Sequence, residues 1–149
     1  MALKPDRDFI QWRLDQYMHS TAERGGFVSM VSAGSGVAMD DSANVVEYAA
    51  DPSGAKVVGV LLDDVVDNPQ KLRRNPYTEE VQVSGKVSIA SEGWFVTNMV
   101  DPAVSPVAGE AAYLGASGLV TNSAAQLGQQ VGRFDTSKDE DGYVKISTL

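Results

Sequence analysis

The sequence predicts a mainly β fold, a small antiparallel β-barrel or sandwich with an N-terminal helical arm. Three observations carry this prediction. From residue 27 onward, short β-branched runs alternate with Gly, Asn, Asp and Ser. Glycines fall between these runs, where tight hairpins need them. The first 24 residues show a different, irregular helical pattern. At 149 residues the chain is about one domain long.

The N-terminal segment, residues 1–25, is predicted to be a helical arm attached to a β-barrel domain, residues 26–149. Pro5 suits the first turn of a helix, and Gly25-Gly26 ends it. A short isolated helix is marginal in water unless its apolar face is covered. We therefore expect the arm to pack on a neighbouring subunit or another partner, with docking onto its own barrel as the alternative, and the barrel to fold without it. The contact residues predicted here are Phe9, Trp12, Leu14 and Tyr17.

The β domain is predicted from nine short apolar runs separated by turn residues. Such short, interrupted runs favour an antiparallel barrel or sandwich. Corners are expected at Ser84-Gly85, Ser91-Glu92-Gly93, Ala116-Ser117-Gly118 and Asp141-Gly142. The predicted strands are residues 27–31, 45–48, 56–62, 81–83, 86–90, 94–99, 111–114, 130–134 and 143–146.

Two proline-containing loops, residues 67–80 and 101–109, are expected to lie outside the sheet, because proline lacks the donor that a central strand needs. The first loop contains a small basic cluster, Lys71, Arg73 and Arg74, in an otherwise acidic chain. Arginine pairs well with carboxylates at interfaces. We expect Arg73 and Arg74 to contact acidic groups of a partner or an adjacent subunit. The alternative is pairing within the chain.

Composition excludes several functions. Cysteine is absent, which removes thiol catalysis and thiolate metal ligands. The net charge of −8 opposes binding to phosphate backbones, so we expect no nucleic-acid partner. Residues 111–132 are uncharged but rich in amides and hydroxyls, and we expect no membrane partner. The N-terminus lacks the apolar core of a signal peptide, so secretion is not expected.

Candidate catalytic and metal sites are weak. The acidic stretch 137–142 starts like a calcium loop but has Thr148 where the closing carboxylate belongs. His19 is expected to be a surface residue. Asp63-Asp64 and Glu79-Glu80 suggest the carboxylates of a hydrolase, but neighbours in a strand point to opposite faces. We therefore predict no enzyme, no metal and no cofactor.

Trp94 and Phe95 point to binding instead. Side chains alternate along a strand, so one ring must face the core while the other is free to face a partner.

Taken in order, the short motifs of the β domain resemble those of the capsid cement, or head decoration, proteins of tailed bacteriophages. The resemblance covers roughly residues 26–149, whereas residues 1–24 and the loop 68–80 are extra relative to the compact family. It rests on Lys56-Val-Val-Gly-Val-Leu-Leu-Asp-Asp64, Val83-Ser-Gly-Lys-Val-Ser-Ile89, Glu92-Gly-Trp-Phe-Val96, Val107-Ala-Gly-Glu-Ala-Ala-Tyr-Leu-Gly115, Gly118-Leu-Val-Thr-Asn122, Val131-Gly-Arg-Phe134 and Gly142-Tyr-Val-Lys-Ile146.

The resemblance implies a non-catalytic virion protein. It would be made in the host cytoplasm, bind the major capsid protein on the outside of the assembled capsid, and stabilise the shell by bridging capsomers. It implies a homo-oligomer, with a trimer favoured and a dimer as the alternative. Two other functions fit the sequence: another virion component, such as a tail or fibre-base protein, and a small β-barrel carbohydrate-binding module or hydrolase using Asp63, Asp64, Glu79 and Glu80.

Overall fold

A computed structural model of the chain describes residues 2–4, 7–31, 44–67 and 80–148, with the backbone alone for residues 12–14. Two short 3-10 helices, Ala116–Gly118 and Ala124–Gln126, lie among its strands. The strands are β1 (Phe9–Met18), β2 (Phe27–Met30), β3 (Val45–Glu47), β4 (Val57–Leu61), β5 (Asp64–Val66), β6 (Glu80–Gln82), β7 (Lys86–Thr97), β8 (Ala111–Leu114), β9 (Val120–Thr121), β10 (Gln130–Phe134) and β11 (Val144–Thr148).

Five strands close into a barrel in the order β1-β3-β2-β4-β7, because β7 pairs back onto β1. Every pairing in the barrel is antiparallel except β1–β3. The described chain is 47% strand and 6% helical. The predicted mainly β fold is confirmed, and its barrel form is a closed five-stranded one.

Strand β7 belongs to the barrel and to the sheet beyond it. Ile89 and Ala90 pair with β4, whereas residues 94–97 pair with β11. From β11 the sheet continues through β10 and β8 to β9, while β5 and β6 form a separate two-stranded parallel sheet. The long β7 thus joins the barrel to the other strands of the same nine-stranded sheet.

The buried side chains form two clusters, which receive residues from opposite faces of β2, β4 and β7. Adjacent residues go to different clusters, as Phe27 and Val28 of β2 and Val60 and Leu61 of β4 do. Ile89 and Ala90 of β7 divide in the same way. Since both faces of β2 and β4 are covered, the sequences of these two strands are largely apolar.

The predicted N-terminal helix is wrong: residues 9–18 form strand β1, one wall of the barrel. Its pairing with β7 runs from Phe9 opposite Trp94 to Tyr17 opposite Lys86. Two register shifts, between Ile10 and Trp12 and between Trp12 and Arg13, interrupt the alternation of a strand. The expectation that the barrel folds without this segment loses its basis. The division of the chain at residue 25 stays a prediction.

Three of the four predicted corners are turns between strands, at Ser84-Gly85, Ala116-Ser117-Gly118 and Asp141-Gly142. The fourth is not, because β7 continues through residues 91–93. The loop 101–109 lies outside the strands, as predicted. In the described ranges, no helix is long and apolar enough to cross a membrane.

Tyr48 links the barrel to the turn after β8. Its hydroxyl accepts a hydrogen bond from the backbone N–H of Gly26 at 3.1 Å and donates one to the carbonyl of Glu23. A Cβ atom at Gly118 would lie 2.4 Å from the Tyr48 ring, so glycine permits this contact. Burial raises the pKa of the Tyr48 phenol, which keeps the hydroxyl neutral and able to donate.

Candidate functional site

One register row crosses five strands on the outside of the sheet. Phe9 of β1 lies opposite Trp94 of β7, and Trp94 lies opposite Ser147 of β11. Ser147 lies opposite Arg133 of β10, which in turn lies opposite Ala111 of β8. Paired residues share a face of a sheet. We call this surface the outer face, defined by these five residues together with Lys4, Tyr143 and Lys145.

Two aromatic rings stack at one end of the outer face. The ring centroids of Phe9 and Trp94 are 6.5 Å apart, with an angle of 20° between their planes. Phe9 is 55% exposed, and Trp94 is partly exposed. The Phe95 side chain lies on the opposite face of β7, in a buried cluster, and is only 1% exposed. The predicted alternation of Trp94 and Phe95 is confirmed.

Two lysines lie over aromatic rings on the same face. The Nζ atom of Lys145 is 4.1 Å from the ring centroid of Trp94, and that of Lys4 is 4.0 Å from the ring of Tyr143. The backbone N–H of Lys4 donates to the carbonyl of Val96, which holds the N-terminal segment against β7. Among the described residues, neither ammonium group has an acidic side chain within ion-pair distance.

Arg133 borders a hollow that Ala111 and Ser147 of the same register row also line. Its Nη2 atom is 3.1 Å from Oδ1 of Asp135, and its side chain is still 64% exposed. The hydroxyl of Ser147 donates to Oδ2 of the same aspartate. The hollow has a volume of about 320 Å³ and is lined by Gly109, Ala111, Gln130, Arg133, Ser147 and Thr148.

The contact residues predicted from sequence do not meet at one place. Phe9 lies on the outer face, but Tyr17 lies at the far end of β1, between Val45 and Lys86. Trp12 and Leu14 are in β1 between them, with side chains outside the described part of the chain. Arg73 and Arg74 also lie outside the described residues. None of these contacts is tested.

Sequence reasoning missed the cations of the outer face. Lys145 lies 51 residues after Trp94 in the chain, and Lys4 lies 90 residues before Trp94. One signal was available in the sequence: apolar Val144 and Ile146 alternate with Tyr143, Lys145 and Ser147, which places the latter three on the opposite face of a strand. The structure buries Val144 and Ile146. Their position beside Trp94 follows only from the pairing of β11 with β7.

Two of the four carboxylates of the hydrolase alternative, those of Asp63 and Asp64, accept hydrogen bonds from backbone N–H groups. Asp63 is buried, and its Oδ2 accepts a hydrogen bond from the N–H of Ser88 at 2.8 Å. Oδ1 of Asp64 accepts from the N–H of Arg24 at 2.9 Å. Glu80 pairs with Asp64 in the β5–β6 sheet, and Glu79 lies outside the described residues. These two hydrogen bonds join the segment between β4 and β5 to β7 and the start of β5 to the chain at Arg24.

Other polar groups also have structural partners. His19 is exposed, and its Nδ1 atom lies 2.9 Å from the hydroxyl oxygen of Ser84. Oδ1 of Asp139 accepts from the N–H groups of Asp141 and Tyr143, which forms the turn before β11. In the described ranges, no three His, Asp or Glu side chains converge to hold a metal ion.

Comparisons with models of known protein families and with curated proteins find no match to this chain. The geometry of the outer face is therefore the observation from which a function is argued.

Proposed function

We propose that the chain is a capsid cement protein of a tailed bacteriophage. It binds the major capsid protein on the outside of the assembled shell and bridges neighbouring capsomers. A ligand that binds only the assembled lattice stabilises that lattice by mass action. The protein is made in the host cytoplasm and acts on the virion as a homo-oligomer, a trimer in the favoured form.

The outer face is the observation that supports this proposal. Stacked aromatic side chains and an exposed arginine lie in one register row across five strands. Aromatic residues and arginine are the side chains most enriched at protein interfaces, and they carry most of the binding energy there. A sheet held against a closed barrel presents them with little loss of conformational entropy on binding.

The same rings raise the alternative of a carbohydrate-binding module, because sugars stack on exposed aromatic side chains. Here the ammonium group of Lys145 covers one side of the Trp94 ring, and that of Lys4 covers a side of the Tyr143 ring. A sugar that stacks on either of those sides would have to displace the cation that covers it. This arrangement favours a protein partner over a sugar.

Cosedimentation with isolated heads of the phage that encodes the chain tests the proposal. Wild-type protein is expected to sediment with heads and to delay their disruption on heating. The double variant Phe9→Ser/Trp94→Ser is expected to bind about 10-fold or more weakly, since central aromatic residues dominate interfaces. The matched control is Val107→Ser/Leu127→Ser, which removes two exposed apolar side chains elsewhere.

Equal binding of the aromatic variant and the control would contradict the role of the outer face. Wild-type protein that sediments with isolated tails and not with heads would instead support the other virion function. Circular dichroism of each variant checks that it is folded before binding is measured.

A further inference from the structure

We propose that the outer face binds an acidic segment of its protein partner, with carboxylates held by Lys4, Lys145 and Arg133. This inference rests on the proposed function for the identity of the partner, the capsid protein. The charges of the outer face itself indicate the chemistry of the bound segment.

The first argument is that the two lysines contact aromatic rings and have no acidic partner among the described residues. The chain has 20 acidic and only 12 basic residues, so most exposed cations would be expected to find an acid nearby. Lys4 and Lys145 lie over aromatic rings instead, with no acidic partner among the described residues. An ammonium group has three N–H donors, and contact with the face of a ring leaves donors free for carboxylate oxygens.

The second argument is the arginine at the hollow. Arg133 contacts Asp135 while its side chain remains 64% exposed. A guanidinium group has five N–H donors in a planar fork, so it can bind a second carboxylate beside the first. The eight residues that define the outer face include three cations, Lys4, Lys145 and Arg133, and no acid, and Asp135 is within ion-pair distance of Arg133 alone among them.

The third argument is the combination of charge with apolar surface. Phe9 and Trp94 lie next to the cations, and the hollow of about 320 Å³ lies beside Ser147 in the same row. A nucleic acid would also be drawn to cations and rings, but its phosphate backbone would extend past these three side chains onto the acidic remainder of the chain, whereas a short acidic segment need contact the outer face alone. An acidic protein segment with an apolar side chain matches all of these features.

The test is a nuclear magnetic resonance titration with a capped hexaglutamate peptide, with hexaserine as the uncharged control peptide. Hexaglutamate is expected to shift the Trp94 indole signal and the amides of Lys145 and Arg133. The double variant Lys4→Gln/Lys145→Gln is expected to bind it about 10-fold more weakly, and more so at low salt, where charge pairs are less screened. The matched control is Lys56→Gln/Lys86→Gln, which neutralises two exposed lysines elsewhere.

Shifts confined to other surfaces, or equal weakening by both double variants, would overturn the proposal. Cosedimentation with heads separates it from the proposed function. If heads bind the Lys4→Gln/Lys145→Gln variant as well as wild type, the acidic-segment inference fails alone. If hexaglutamate binds the outer face but heads do not bind the protein, the capsid assignment fails and the face still recognises acidic segments.

Discussion

The carbonyl oxygen of Phe9 occupies the space that a side chain at position 93 would need. A Cβ atom built on Gly93 would lie 1.8 Å from that oxygen, and the backbone of Gly93 has a φ of +142°. Strand β1 therefore closes onto β7 at the same point where the Phe9 and Trp94 rings stack. Gly93 thus permits the close approach of the two strands at the point where the rings stack.

Replacing Gly93 with alanine is expected to destabilise the protein by at least about 2 kcal/mol, because the added methyl group overlaps backbone that cannot move freely. The matched control is Gly54→Ala, where φ is +74° but no atom lies within 4 Å. It is expected to cost about 1 kcal/mol from backbone conformation alone. Urea unfolding followed by circular dichroism measures both; equal losses would show that the contact with Phe9 is not tight.

Deleting residues 1–24 is expected to unfold the barrel. The deletion removes β1, whose pairing with β7 and β3 closes the five-stranded ring. Without it, β7 loses its β1 partner along one edge, and the buried cluster that contains Val28, Leu61 and Ile89 loses Met18. Amide hydrogen exchange on the truncated chain measures the effect. Native protection in β2, β4 and β7 would contradict the strand assignment and restore the picture of a dispensable arm.

The Tyr48 hydroxyl is expected to contribute measurably to stability. Tyr48→Phe leaves the N–H of Gly26, a buried residue, without this partner, which costs about 1–3 kcal/mol. The carbonyl of Glu23 also loses the hydroxyl, but this residue is exposed, so water can replace it. The control is Tyr113→Phe, whose hydroxyl has no hydrogen bond within the described part of the chain. Thermal unfolding of both variants compares the two losses.

The same tyrosine gives a pH dependence with a definite sign. Burial raises the pKa of Tyr48 above its ordinary value of 10.0, so the folded protein keeps a proton that the unfolded chain releases in alkali. Its contribution to stability is complete below about pH 10 and is lost as the pH rises further. Wild type should therefore lose stability above pH 10 more steeply than Tyr48→Phe. Parallel pH profiles would show that Tyr48 ionises freely.

The contact of the basic cluster in the loop 67–80 with a partner remains a prediction. Changing Arg73 and Arg74 to alanine is expected to lower occupancy on isolated heads, with a larger effect at low salt, where the ion pairs are least screened. Occupancy is measured by cosedimentation over a salt series. Equal occupancy of wild type and double variant at every salt concentration would show that the loop makes no contact with the shell.

Local patterns in the sequence predicted most strands, including the bounds of β8 and β10, because short apolar runs and turn residues are local features. They failed at β1, where two register shifts give apolar spacings that resemble a helix. Gln16 also hides the strand pattern of β1, since a polar residue is buried where the alternation of a strand would place an apolar one. Gly93 also misled the prediction, because its role is close approach to Phe9 rather than a turn.

The candidate site was predicted only in part. Alternation was enough to separate Trp94 from the buried Phe95. Phe9 was predicted as a contact residue on a helix and lies on the outer face as part of a strand. Lys145, Arg133 and Lys4 could not be placed, because their proximity comes from pairing between strands distant in sequence.

Electron cryomicroscopy of the virion that encodes this chain tests the central claim most directly. The account predicts density for the five-stranded barrel on the outside of the shell, across the junction of neighbouring capsomers. Phe9, Trp94 and Arg133 should face the capsid protein in that density. A barrel bound with this face toward solvent, or a shell without any barrel density, would contradict the account.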